Sequence, residues 1–114
     1  MAGHVYIVGC KRVRMYKIGI AINVQKRMRQ LQTGCPYPIE LLASAECLDP
    51  RTIEKDLHLM LDFYRQKGEW FCCAFDVIRR AARFMENAAY IQMPHKSKVK
   101  QELEDRLNAI RNDT

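Results

Sequence analysis

The sequence predicts an α/β domain on three observations: period-two alternation near the N-terminus, apolar residues at helical spacing between capping residues further along, and 48% hydrophobic against 28% charged residues in 114 positions. That length and composition belong to one globular domain with one core. Residues 4–8 alternate apolar and polar with β-branched side chains, and residues 16–20 repeat the pattern after a short basic connection. Two strands of a hairpin fit it best. With Val5, Ile7, Tyr16, Ile18 and Ile20 turned to the core, the period of two sets Tyr6 and Lys17 together on the opposite face. A third strand is expected over residues 39–47.

Asn23 is placed to cap a helix in which Val24, Met28 and Leu31 recur at steps of four and three. Gly34 stops it before the turn Cys35-Pro36-Tyr37-Pro38. Arg27 falls at the edge of that apolar stripe. Asp49 and Pro50 supply an N-cap and a first-turn proline for a second helix through about residue 64, with core positions Ile53, Leu57, Met60, Leu61 and Tyr64. Beside them Glu54, His58 and Asp62 form a polar row at steps of four. Gly68-Glu69-Trp70-Phe71 ends the following connection, with Trp70 and Phe71 expected to close the core. Residues 74–91 read as a helix apolar on most sides, packed over the sheet, and Pro94 breaks it. In the tail, Val99, Leu103, Leu107 and Ile110 predict a short amphipathic helix that docks on the domain or on a second copy, as a homodimer. The expected division is a domain over residues 1–92, then a basic linker and amphipathic helix over residues 93–114.

No apolar run approaches the roughly 20 residues needed to span a bilayer, and the N-terminus lacks a signal peptide's charged-then-apolar layout. A cytoplasmic setting is therefore expected. The five cysteines lack C-x-x-C spacing and are odd in number, so they are read as inert thiols rather than as disulfides or a zinc clip. The formal charge is +6, and its distribution is uneven. Lys11, Arg12, Arg14, Lys17, Lys26, Arg27 and Arg29 fall within the first 39 residues without a single acid, whereas from Glu40 onward twelve basic residues face thirteen acidic ones. A positive N-terminal third points to a polyanion, with nucleic acid the first candidate and Lys11, Arg12, Arg14, Lys26 and Arg29 as its contacts.

Two short motifs, His4-Val5-Tyr6 and Lys17-Ile18-Gly19, precede Ala21, Asn23 and Arg27. Downstream come Gln32-Thr33-Gly34, Pro36, Pro38, Glu54 four residues before His58, and Gly68-Glu69-Trp70-Phe71. In this order they resemble the GIY-YIG nuclease family, most closely its short phage-type (T5-type) branch, over about residues 4–91. Lys17 stands where the second motif has a tyrosine, and His4 where the first has a glycine. The resemblance implies a sandwich with a central three-stranded antiparallel sheet flanked by helices, followed by a helical tail. It also implies an endonuclease acting on DNA in a bacterial or phage-infected cell, with a catalytically weak or inactive nucleic-acid-binding module of the same fold as the alternative.

Phosphodiester hydrolysis needs a water that loses its proton, stabilisation of added charge on the phosphate, and help for the leaving 3′ oxygen. By the resemblance, Tyr6 contacts or deprotonates the water, Arg27 holds the phosphate, and Glu54 binds a single Mg²⁺ or Mn²⁺. His58 stands behind Glu54 or touches the phosphate, and Lys17 favours the Tyr6 phenolate or donates to a phosphate oxygen. Glu69 is a rival metal ligand. Read without the resemblance, Tyr6 is an ordinary strand aromatic, Arg27 a solvated helix residue, and Glu54 with His58 a common surface pair. The charge distribution by itself yields a test. Nucleic acid should bind with an affinity that falls steeply with salt, by a logarithmic slope of about −0.9 for each duplex phosphate neutralised. Anisotropy titrations of labelled DNA across a salt series measure that slope, and a flat response would exclude a polyanion.

Overall fold

The computed structural model describes residues 2–93, 105–107 and 109. Strands β1 (Gly3–Cys10) and β2 (Met15–Ala21) form the expected hairpin, in register from His4 opposite Ala21 to Cys10 opposite Met15. Arg14, at φ +56°, and a hydrogen bond from its N–H to the Lys11 carbonyl at 3.2 Å close the turn between them. Helix α1 (Val24–Thr33) starts where Asn23 accepts a hydrogen bond from the Lys26 N–H at 3.0 Å. Strand β3 (Glu40–Cys47) then pairs antiparallel with the other edge of β1, with an irregularity between Ile7 and Val8. Helix α2 (Pro50–Met60) and a 3₁₀ turn (Asp62–Tyr64) lead into strands β4 (Arg65–Lys67) and β5 (Trp70–Cys72), and helix α3 (Phe75–Gln92) follows.

The sheet has five strands in the order β3-β1-β2-β5-β4, which corrects the three-stranded sheet expected from the sequence, within the α/β class that was expected. Strands β4 and β5 are three residues each, too short to show an alternation. They exist because β2 offers a free edge at Met15–Lys17, onto which β5 pairs. Gly68, at φ +58°, makes the tight reversal between them, a conformation that L side chains adopt at a cost.

The core lies on one sheet face. Val5, Ile7, Tyr16, Ile18 and Phe71 pack against Ile53, Leu57 and Leu61 from α2 and its C-cap, and against Ile78, Ala81, Met85 and Ala89 of α3. Burial of each large aliphatic residue there stabilises the fold by about 1.5–3 kcal/mol. Met60, expected in the core, is 49% exposed, because α2 ends at it and the chain turns away into the 3₁₀ segment. Helix α1 buries no residue fully; its Gln30 and Leu31 share a cleft with Met15 and Trp70 on the sheet face away from the core. In the tail, residues 105–107 and 109 are helical and Leu107 is half exposed. Val99, Leu103 and Ile110 lie outside the described residues.

Asp49 couples the two core helices. Its side chain caps α2 at Thr52, while its backbone N–H donates to Gln92 Oε1 at 2.8 Å and its carbonyl accepts from Gln92 Nε2 at 3.0 Å. The hydrogen bonds from the Thr52 hydroxyl and then the Thr52 N–H hold its carboxyl below the ordinary value of 3.8. A depressed carboxyl lends stability that is present above the unfolded value and lost as pH falls through the folded one. Asp49→Ala should therefore be less stable than the wild type at neutral pH, and the gap should shrink below about pH 3. Urea melts of both proteins at the two pH values measure it.

Candidate active site

The face of the sheet away from the core carries the polar residues that the alternation singled out. Tyr6 lies opposite Gly19, Val8 opposite Lys17, and Lys17 opposite Trp70. Directly paired residues in an antiparallel sheet project to the same side, so Tyr6, Lys17, Gly19 and Trp70 share this face. Tyr6 is 1% exposed, and its phenol lies across Gly19, where any Cβ would collide with the phenol oxygen. Tyr16 is no substitute for it: its side chain is in the core, its hydroxyl has no partner, and burial raises its pKa.

Lys17 is a nearly buried cation, 7% exposed, and its Nζ is ion-paired with Glu69 Oε2. Glu69 comes from the β4–β5 reversal. That hairpin is braced by Arg65, which donates to the Gly68 carbonyl, pairs with Asp62 at 3.1 Å and lies 4.9 Å over the Phe71 ring. The Lys17 hydrogen bond, with the charges of Lys17, His58 and Arg27 adding to it, holds the Glu69 carboxyl below its usual value.

Helix α2 packs on the core face and meets the edge of β2. Strand β5 pairs only with Met15–Lys17. Beyond it the Ile18 carbonyl accepts a hydrogen bond from His58 Nε2 at 2.9 Å, and the imidazole packs on Phe71 with ring centroids 5.4 Å apart. A carbonyl only accepts, so this contact assigns a proton to Nε2. Glu54 lies one turn earlier on α2 and is half-buried. Burial raises its carboxyl pKa and Glu69 raises it further, against the opposing charges of His58, Lys17 and Arg51. Arg27, half-buried on α1, donates from Nη1 to Gln30 Oε1 at 3.3 Å and lies within electrostatic reach of Glu69.

Tyr6 and Lys17 thus share one sheet face, while Arg27 from α1 and Glu54 and His58 from α2 meet Lys17 in the electrostatic field around Glu69. The remaining basic residues divide. Lys26 and Arg29 are exposed on α1 beside Arg27, whereas Lys11, Arg12 and Arg14 occupy the hairpin turn beyond Cys10, which is itself four residues or about 14 Å along β1 from Tyr6. There Lys11 sits 4.4 Å over the Phe75 ring. Two features escaped the sequence reading. Gly19 was a motif residue without a role, and the Lys17–Glu69 pair gave no local signal because its partners are 52 residues apart. The expectation that Trp70 and Phe71 both close the core is corrected for Trp70: Phe71 is fully buried there, while Trp70 is half-buried on the other face. Among the described residues no cluster of three or more His, Cys, Asp or Glu side chains is arranged to hold a metal ion, and no helix is long and apolar enough to cross a membrane.

The family model of the T5orf172 domain matches residues 3–86, which include all five strands, α1, α2 and the larger part of α3. The chain belongs to the T5orf172 domain family. No curated protein and no solved structure matches it. The T5orf172 domain is phage-associated and related to nuclease-type domains. Every residue of the constellation lies inside the matched region of this T5orf172 domain. Because Lys17 is the first cause of the low Glu69 value, Lys17→Met should move that carboxyl up toward the ordinary range near 4.5. An NMR titration of side-chain carboxyl carbons reads the change, and an unmoved Glu69 would separate the two groups in solution.

Proposed function

We propose that this T5orf172 domain is a divalent-metal-dependent endonuclease of GIY-YIG type that hydrolyses phosphodiester bonds in DNA. What supports it is that Lys17, His58 and Arg27, from β2, α2 and α1, all lie within electrostatic reach of Glu69, that Glu54 feels the charges of Glu69, Lys17 and His58, and that Tyr6 shares the sheet face of Lys17. The buried Lys17 is held there by Glu69, which offsets the cost of its desolvation and fixes a positive charge on this face.

Each residue has a task that its surroundings support. The enclosed Tyr6 phenol, held over Gly19, takes a hydrogen bond from the attacking water and directs it at phosphorus. Arg27 offers a planar fork of donors to the non-bridging phosphate oxygens, whose charge grows in the transition state. Lys17 adds a fixed positive charge beside them and is oriented meanwhile by Glu69. The His58 ring, locked through Nε2, when neutral presents Nδ1 as an acceptor for a water proton and fixes the turn of α2 that carries Glu54. The P–O3′ bond breaks as the water oxygen bonds to phosphorus, the water's proton leaves to the base, and a proton returns to the 3′ oxygen.

The residues present fit a single hard cation. Glu54 is a desolvated carboxylate with a second carboxylate, Glu69, in its field, and a positive ion would offset both penalties. One protein carboxylate, with water and phosphate oxygens completing the shell, suits Mg²⁺, which dehydrates reluctantly. Bound there, the ion would supply charge neutralisation at the phosphate and a more acidic water. Glu54→Gln keeps the shape and removes the charge. It should lose metal-dependent nicking of plasmid by a factor on the order of a hundred or more, while DNA binding persists or tightens. Nicking at the wild-type level would move the metal to Glu69, and a wild type inert with Mg²⁺ and Mn²⁺ would leave a binding module in which the Lys17–Glu69 pair is structural.

A further inference from the structure

Trp70 and the cleft beside it take no part in these steps. The cleft encloses about 700 Å³ between the C-terminal half of α1 and the Lys17 face of the sheet, within the range of sites that hold small organic ligands. Met15 and Trp70 line it on the sheet side, Leu31 and Gln30 on the helix side, and Tyr37 and Lys67 at other edges. Met15 is two residues, or about 7 Å, from Lys17 along β2, and Trp70 is paired directly with Lys17. The cleft and the phosphate-handling residues therefore share one sheet face.

Its lining defines the occupant. Trp70 is half-buried, and Tyr37, 48% exposed, stands on a bend pinned by Gln32, which donates to the Tyr37 carbonyl at 2.9 Å and accepts from the Ile39 N–H at 2.8 Å. Two aromatic rings, a thioether and a leucine favour a flat, polarisable ligand. Gln30 gives its Oε1 to Arg27, which leaves the amide N–H groups for a polar ligand edge. Lys67 adds a cation where a neighbouring phosphate would pass. A flat ring with a hydrogen-bonding edge, tethered to phosphates one strand-step away, is a nucleobase. A base inside a duplex has both faces stacked and its edge paired, so it cannot enter.

We propose that this cleft receives one unpaired nucleobase from the strand whose phosphate lies against Arg27 and Lys17, which makes single-stranded or locally unpaired DNA the substrate class. The proposal rests on the nuclease reading above, and its test separates the two. Trp70 is the single tryptophan of the chain, so its fluorescence reports a stacked base directly. The full-length protein is titrated with a labelled single-stranded oligothymidylate and with an abasic sugar-phosphate oligomer of equal length, following anisotropy and tryptophan emission together. The oligothymidylate should quench Trp70 and bind roughly tenfold tighter or more than the abasic oligomer. Tyr37→Ala should cut that affinity ratio by about fivefold or more; being a ratio, it is insensitive to a loss of folded protein. Equal affinities without quenching would overturn the cleft's role and leave phosphate binding in place. Failure to bind either oligomer would overturn the nucleic-acid reading and the cleft with it, and equal quenching by a fully paired duplex would overturn the requirement for an unpaired base.

Discussion

Strand β2 has a partner on its outer side only as far as Lys17, and the arrangement of the candidate site depends on where that pairing stops. A buried backbone carbonyl without a partner costs about 1–3 kcal/mol, and at Ile18 the acceptor is taken by the His58 imidazole rather than by another strand. That single contact requires α2 to stand against the sheet edge. The same helix presses Ile53 and Leu57 into the core, so its rotation is set from two sides. Glu54, one turn before His58, then has one direction in which to project.

The sheet is two-sided in a chemical sense. One face is apolar and closed by α2 and α3, while the other holds an enclosed tyrosine and a nearly buried lysine. The lysine needs a counter-charge, and the short β4–β5 hairpin delivers Glu69 for that purpose. The consequence is a division between two carboxylates in one electrostatic field. Glu69 is held low by Lys17, whereas Glu54, desolvated and facing the charge of Glu69, is pushed up. Environments that drive like groups apart are how an active site gives them different work. Glu69 is the charge partner of the lysine, and in the proposed nuclease Glu54 is the carboxylate whose charge the cation would compensate.

Much of this was legible residue by residue. The faces of β1 and β2 follow from their alternation, and the caps at Asn23 and Asp49 from residue type and position. The polar row of Glu54 and His58 beside an apolar row follows from helical spacing. Where the sequence reading failed, competing tertiary demands explain it. Met60 has core spacing but sits at a helix end where the chain turns outward. Trp70 and Phe71 are adjacent, and adjacent residues in a strand must face opposite ways, but three residues carry no alternation that marks them as a strand.

The sequence by itself determined the elements that arise from interactions within about four residues: the hairpin, the capped helices, and which side of each is apolar. Those choices are made by local sterics, capping and the period of the backbone, all present in the chain before it folds. Only the tertiary structure decided that the sheet has five strands, that His58 completes the edge of β2 across 40 residues, and that Glu69 neutralises Lys17 across 52. Short edge strands and buried charge pairs are stabilised by a partner surface rather than by their own residues, so they acquire a structure only once that surface exists.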